Sequence, residues 1–154
     1  GTIFVHFATR DALVIEIVKA IGSSLTDHLA RMSSDSFGLG QFLDAHLAVL
    51  REAEKLHSAL LQEMSSLPAS ARAYVLAMQS GVSARLGRAL QVDIDKGLAR
   101  PFDKVALANI WIALTNHYLL NRDLFAPGES VIMRHGAALK SQLLAIVEKE
   151  PAHV

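Results

Sequence analysis

A carboxylate and an imidazole stand three residues apart in the stretch Glu54-Lys55-Leu56-His57. Where this Glu-x-x-His spacing occurs twice, it supplies ligands to the metal ions of di-iron helical bundles. Here it occurs once, and Asp44 and His46 are two residues apart, which directs them to different faces of a helix. Because a metal site needs three or four converging ligands, we predict no metal and no other cofactor. A carboxylate-bridged metalloenzyme remains the weakest alternative.

Other residue types that carry out catalysis also lack the setting they need. Ser80-Gly81 and Ser65-Ser66 are not preceded by the strand-turn-helix pattern of a nucleophile elbow. Gly38-Leu39-Gly40 lacks the third glycine and the following Lys-Ser/Thr of a phosphate-binding loop. The sequence contains no cysteine, which removes thiolate nucleophiles and thiolate ligands. We therefore predict that the chain is not an enzyme.

The composition points to apolar surface reserved for a partner or a cavity. Hydrophobic residues make up 51% of the 154 residues and charged residues 19%, against roughly 25% charged in a typical soluble domain. Fifteen basic residues balance 15 acidic ones, so the basic excess of a free-standing nucleic-acid binder is missing. The sequence has neither an 18-residue apolar run nor a signal-peptide pattern. We expect a cytoplasmic protein with no membrane partner.

Apolar residues recur at helical spacing along the whole chain, and no segment alternates as a strand does. The pattern predicts an all-α fold of six helices. Thr9 is a plausible N-cap of the first helix, Ser70 of the fourth, and Gly97 the stop of the fourth. The fifth helix is predicted over about Asp103 to Leu124 and is apolar on nearly every side, so two of its faces must be covered.

The beginning of the chain, GTIFVHFATRDAL over residues 1–13, resembles the tetracycline-repressor (TetR) family of one-component regulators. In that family this pattern closes the DNA-recognition helix and opens a long helix. Residues 97–103, GLARPFD, are similar to the family's linker before its penultimate helix. Residues 117–121 and 124–125 also resemble the ends of many members. The middle of the chain carries little resemblance, as expected for a region that differs with each inducer.

The resemblance implies a remnant of a helix-turn-helix over residues 1–8 and a ligand-sensing and dimerisation domain over residues 9–154. It also implies that roughly forty residues of the DNA-binding part precede Gly1, because a helix-turn-helix cannot be built without them. Thr2, His6 and Arg10 match positions that contact DNA phosphates in the family. Phe4 departs from the pattern, because tyrosine is usual there and phenylalanine has no hydroxyl to donate.

A ligand pocket is expected among the first five helices, since pockets are mostly apolar with a few polar groups that fix orientation. Apolar and aromatic side chains stand four apart on single helix faces, and a histidine interrupts the apolar face of the second helix. A largely apolar small molecule is the expected ligand. The candidate residues are His46, Tyr74, Met78, Trp111, Thr115 and Tyr118.

The resemblance further implies a homodimer in which the last two helices form a four-helix bundle with those of the partner. The apolar character of the fifth helix favours it, and closed two-fold dimers are the commonest soluble oligomers. The stretch Gly136-Ala137-Ala138 is small enough for close backbone approach. The candidate interface residues are Ile110, Leu114, His117, Leu139, Leu143 and Ile146.

The expected function is that of a ligand-responsive transcriptional regulator, acting as a repressor on a DNA operator in the intact protein. A ligand in the helical domain would move the first long helix as a lever and change the spacing of two recognition helices, which must match half-sites about 34 Å apart. The alternative is a helical dimerisation or interaction module with no small-molecule ligand. A cavity among the helices would favour the ligand sensor. A completely filled core would favour the interaction module without a ligand.

Overall fold

The computed structural model describes residues 9–31 and 36–149, excluding the Leu29 side chain. Within those ranges the chain is all-α, and the only extended pairing is an isolated bridge between Ala99 and Glu148. None of the described helices is long and apolar enough to cross a membrane. The elements are α1 (Arg10–Arg31), α2 (Leu39–Glu52), α3 (Glu54–Glu63), a 3-10 turn (Met64–Ser66), α4 (Ala69–Asp95), α5 (Lys104–Leu120), α6 (Arg122–Phe125) and α7 (Val131–Val147).

Local signals set several helix ends. The Thr9 hydroxyl accepts a hydrogen bond from the Ala12 backbone N–H at 3.1 Å, as an N-cap does. Gly97, with φ of +74°, follows α4, and its N–H bonds to the Ile94 carbonyl at 2.9 Å in a Schellman-type stop. Both ends match the sequence prediction. The predicted cap at Ser70 is wrong, because α4 already begins at Ala69 directly after Pro68.

The predicted fifth helix is two helices in the structure, so the described residues contain seven α-helices instead of six. Asn121 interrupts it, and both its backbone N–H and its side-chain amide donate to the His117 carbonyl, at 3.2 and 2.9 Å. The Asn121 carbonyl then accepts from the N–H groups of Leu124 and Phe125. A local side-chain bond of this kind competes with helix propagation, so α5 ends at Leu120 and the four-residue α6 starts a new turn.

Helix α2 is the centre of the main core, because α1, α4 and α7 all pack against it. Its buried face includes Phe42, Leu43 and Leu50, each at most 1% exposed. Burying a side chain of this size stabilises the fold by about 1.5–3 kcal/mol. A second, smaller cluster joins Val18 of α1 to the segment running from α3 into α4. Helix α1 therefore touches two separate apolar clusters along its length.

The stretch Gly38-Leu39-Gly40 serves the packing of α2. The Asp93 carboxylate of α4 accepts a hydrogen bond from the Leu39 backbone N–H at 2.9 Å, where the helix dipole favours a negative charge. A Cβ at Gly38 would lie only 2.0 Å from the Asp93 Oδ1 atom. A side chain at that position would displace the carboxylate from the Leu39 N–H, so glycine preserves this hydrogen bond.

Glu54 is a buried carboxylate at the junction of α3 and α7, with only 5% of its surface exposed. It accepts hydrogen bonds from the Ser130 hydroxyl and from the backbone N–H groups of Val131 at 2.9 Å and Ile132 at 3.4 Å. The Arg122 Nε atom lies 3.8 Å away. The carboxylate thus binds the positive N-terminal end of α7 and holds that helix against α3.

We predict that Glu54→Ala lowers the free energy of unfolding by about 3 kcal/mol, because it leaves buried donors of α7 without a partner. Urea denaturation followed by circular dichroism measures the change. Glu16→Ala is the matched control, since the exposed Glu16 forms an ion pair with Lys19 on its own helix, and its loss should change the free energy of unfolding by less than about 0.5 kcal/mol. Equal effects of the two substitutions would refute the capping role of Glu54.

Candidate functional site

A small cavity lies between α1, α2, α4 and α5, with one side chain from α3 closing it. Its volume is about 30 Å³. That space is enough for a water molecule, and it is well below the 300–1,000 Å³ of typical ligand pockets. Most of the wall is apolar. Its polar side chains are His46, His57, Gln79, Thr115 and Asn116.

His46 is held in one orientation on α2 by the core. The Trp111 Nε1–H donates a hydrogen bond to the His46 Nδ1 atom at 2.8 Å, and the Phe42 ring stacks on the imidazole at a 6.0 Å centroid distance. An indole N–H is only a donor, so the His46 Nδ1 atom accepts and the neutral ring carries its proton on Nε2. Burial, and secondarily the neighbouring His57, lower the pKa of His46 to about 3, so the ring is neutral at pH 7.

His57 is the polar group of the cavity that the protein leaves unpaired. Its side chain is 6% exposed, and its Nδ1 atom is fully buried without a hydrogen-bond partner among the described residues. Burial lowers the pKa of His57 to about 4. An unsatisfied buried polar atom costs about 1–3 kcal/mol, so the Nδ1 atom requires a partner that the described side chains do not supply, and the adjacent cavity has space for one.

From the sequence, His57 was predicted only as a candidate metal ligand, and its place in the cavity was missed. The described residues contain no group of three His, Asp or Glu side chains arranged to hold a metal ion. Glu54 is engaged by α7, and Asp44 is paired with Lys140 at 2.7 Å. The spacing of residues in the sequence could have identified His57 as buried. His57 follows Glu54 by three residues and precedes Leu60 by three, and all three lie on the buried face of α3.

Three of the six predicted ligand-pocket residues line the cavity, namely His46, Met78 and Thr115. The Thr115 hydroxyl donates to backbone carbonyls of its own helix, with the Trp111 carbonyl at 2.9 Å, and therefore offers only an acceptor to the cavity. Trp111 is fully buried and stands outside the lining, where it positions His46.

Tyr74 and Tyr118, the remaining two candidates, lie away from this cavity. Tyr74 is 42% exposed on α4, and the Lys19 ammonium stands 5.8 Å from its ring centroid. Tyr118 stacks on Phe125 at a 4.2 Å centroid distance, and the His135 ring lies 5.2 Å away. Their spacing on α4 and α5 matched that of the cavity residues, but it did not specify which neighbour each face meets.

Two of the predicted interface residues, Leu139 and Leu143, are 1% and 0% exposed in the single chain. They belong to the main core and leave no surface for contact with a partner, which corrects the expectation for these two positions. Gly136 is also used within the chain, because its Cβ position would be 3.4 Å from a methyl group of Leu47 on α2. Gly136 therefore packs against α2, whereas Ala137 and Ala138 remain exposed.

The other four interface candidates retain surface. Ile110 is 39% exposed and His117 is exposed, while Leu114 and Ile146 are half-buried against the core. Large exposed apolar side chains are frequent in the same part of the chain. Those in the segment from α5 through α7 are Val105, Ile110, Leu120, Leu124 and Met133.

Of the three predicted phosphate contacts, Thr2 and His6 lie outside the described residues. Arg10 is exposed at the first turn of α1, and its guanidinium forms an ion pair with Glu63 at the end of α3. The Ser66 hydroxyl also donates to the Glu63 carboxylate at 2.9 Å. The Ser66 hydrogen bond, and then Arg10, lower the pKa of Glu63.

Comparison with known proteins bears on the fold. No protein-family model matches the sequence, and no curated protein matches it. Among solved structures, the chain is similar to the crystal structure of a TetR family transcriptional regulator, PfmR, from Thermus thermophilus. The similarity covers 94% of this chain and 80% of that one, with a TM-score of 0.72 and 17% sequence identity. The chain therefore has the all-α fold of a TetR family regulator, as the resemblance in its sequence implied.

The two buried histidines predict loss of stability in acid. Unfolded His57 takes up a proton near pH 6.5, whereas the folded ring stays neutral until about pH 4, so stability falls as the pH drops through this window. The contribution of each such histidine is about 1.4 kcal/mol per pH unit. Urea denaturation at several pH values should give a shallower pH dependence for His57→Leu than for the unsubstituted chain.

The exposed Leu76 supplies the control for this measurement, because Leu76→Gln changes a surface side chain and leaves both buried imidazoles in place. It should leave the pH dependence unchanged. Identical pH slopes for His57→Leu and the unsubstituted chain would show that His57 does not titrate as its burial requires.

Proposed function

We propose that this chain is the regulatory part of a ligand-responsive transcriptional repressor. The observation that carries the proposal is a cavity with buried polar groups whose wall includes α1, in a chain with the TetR-type fold. Ile21, Gly22 and Leu25 of α1 face the cavity. A molecule in the cavity therefore contacts the helix whose first turn carries Arg10, one of the proposed phosphate contacts.

Coupling follows from the position of α1. A ligand shifts an equilibrium only by binding one arrangement more tightly than another. The second half of α1 borders the cavity, whereas Val18 packs in the smaller cluster with α3 and α4. Expansion of the cavity would displace the second half of α1 and change the direction of its first turn. In a dimer this alters the separation of the two recognition helices, which operator half-sites fix at about 34 Å.

The dimer in this proposal forms through α5 and α7. Ile110, Leu114 and His117 follow one another at four- and three-residue spacing on one face of α5. On α7, exposed Ala138 and Ala145 accompany half-buried Ile146. Exposed apolar side chains concentrated between α5 and α7 favour an interface there, since large apolar patches mark association sites. We propose that these faces pack against their copies as a four-helix bundle.

The phosphate contacts in this proposal are Thr2, His6 and Arg10. Arg10 is already paired with Glu63, so its guanidinium would bridge the end of α3 and a DNA phosphate or exchange one for the other. The balanced charge of the chain means that these contacts cannot by themselves supply strong DNA affinity.

The size of the cavity favours the second candidate function, a helical interaction module without a small-molecule ligand. A volume of about 30 Å³ admits no drug-sized molecule unless the walls move. The unpaired Nδ1 atom of His57 supports the sensor instead, because it leaves a buried hydrogen-bonding group available to a ligand. Ligand-dependent release of DNA separates the two functions.

We predict that the protein expressed from its full reading frame selects specific fragments from its source genome. A compound that binds the cavity should weaken that binding at least tenfold, as measured by fluorescence anisotropy at fixed salt. His57→Leu provides the control, because the compound should then release the DNA less effectively while operator affinity without it is retained. If no compound that binds the cavity changes the operator affinity, the sensor function is refuted and the interaction module remains.

We also predict that Ile110→Glu dissociates the dimer, because it places two charges in an apolar interface. Sedimentation velocity at micromolar concentration should show a monomer with unchanged helical content. Leu76→Glu on α4 is the control, since Leu76 is even more exposed, at 57%, and lies outside the proposed interface. If the dimer persists in Ile110→Glu but dissociates in Leu76→Glu, the interface involves α4 and the proposed interface is wrong.

A further inference from the structure

We propose that the cavity, enlarged from its volume of about 30 Å³ by displacement of α1, binds an uncharged, largely apolar molecule carrying one hydroxyl group, placed between His46 and His57 and extending toward Gly22. The inference rests on the proposed sensor function and specifies the ligand class that this sensor recognises. Three features of the cavity support it: its charge, its hydrogen-bonding groups and a gap in the wall formed by α1.

The charge of the cavity excludes an ionised ligand. No Lys, Arg, Asp or Glu side chain among the described residues lines it. Its two imidazoles are neutral at pH 7 because burial lowers the pKa of each. A carboxylate or an ammonium group would enter a buried, mostly apolar space without a counter-charge, which costs far more than burying a neutral polar group.

The hydrogen-bonding groups favour a hydroxyl. The Trp111 N–H occupies the Nδ1 atom of His46, which leaves the Nε2–H of that ring as a donor. The buried Nδ1 atom of His57 has no partner in the described part of the chain and can accept. A hydroxyl both accepts and donates, so it suits a neighbouring donor and acceptor. The influence of His57 on the pKa of His46 indicates that the two rings are close.

The apolar part of the ligand extends toward Gly22, where the wall of the cavity has no side chain. Gly22 lines the cavity in the middle of α1, and a Cβ built on it would meet nothing within 4 Å. Gly81 of α4 is also inside a helix, and a Cβ there would meet only the end of the Arg85 side chain, at 4.0 Å, but Gly81 does not line the cavity. Glycine is unfavourable inside helices, and at position 22 its retention leaves room beside the cavity that any side chain would reduce.

The test compares three probes of similar size by isothermal titration calorimetry at pH 8. These are 4-propylphenol, propylbenzene and 4-propylbenzoate, which are respectively a neutral hydroxyl compound, a hydrocarbon and an anion. We expect the phenol to bind at least tenfold more tightly than either of the others. In His57→Leu the advantage of the phenol over the hydrocarbon should fall to within about threefold. Nitrogen-15 NMR should show a shift of the His57 imidazole when the phenol binds.

Two glycine variants locate the bound probe. Gly22→Leu should abolish phenol binding while keeping the melting temperature, whereas Gly81→Leu should retain binding. Gly22→Ala serves if the leucine variant does not fold, and it should weaken binding with an equal or higher melting temperature. Unaltered phenol binding in every folded variant at Gly22 would overturn the proposed position.

The remaining outcomes separate the ligand class from the sensor function. Tighter binding of the benzoate, or equal binding of the hydrocarbon and the phenol, overturns the hydroxyl inference while the cavity remains a ligand site. Failure of all three probes overturns the inference for this cavity. If compounds of another class still release operator DNA, the proposed sensor function stands. If no compound releases operator DNA, the proposed function is refuted as well.

Discussion

The hydrogen bond from the Trp111 indole to His46 organises the interior of this protein. It joins α2, the central helix, to α5, and it does so within a core where Trp111 is fully buried. The bond gives the indole N–H the partner that burial demands. It also fixes which nitrogen of His46 carries a proton, and therefore what the cavity offers to a ligand. One contact thus links the packing of the core to the chemistry of the site.

Glu54 and His57 show how the same helix treats two buried polar groups differently. The carboxylate is bound by the Ser130 hydroxyl and by backbone N–H groups of α7, because an unpaired buried carboxylate would strongly destabilise the fold. The imidazole can become neutral, which makes its unpaired state tolerable within the stability of the fold. Glu54 and His57, whose spacing resembles half of a metal site, therefore have separate roles. Glu54 holds α7 against α3, and His57 is available to a ligand.

Features that depend on a few neighbouring residues could be predicted from the sequence, and features that depend on distant ones could not. Thr9 as a cap and Gly97 as a stop follow from local hydrogen bonds and backbone geometry. Leu143 was assigned to an interface because spacing identifies an apolar face but not what covers it. The role of Glu54 was hidden because its partners lie more than seventy residues away. The small size of the cavity depends on all of the surrounding helices at once.

Gly22 also has a mechanical consequence. With no Cβ and no neighbour within 4 Å of that position, the middle of α1 is the place where the helix bends most easily. The distance from Gly22 to Thr9 along the helix is about 20 Å at 1.5 Å per residue. A bend of about 5° at Gly22 would move the Thr9 end by about 2 Å, given that lever arm. The stiffness of one glycine-containing turn therefore sets how much of a displacement at the cavity reaches the far end of the helix.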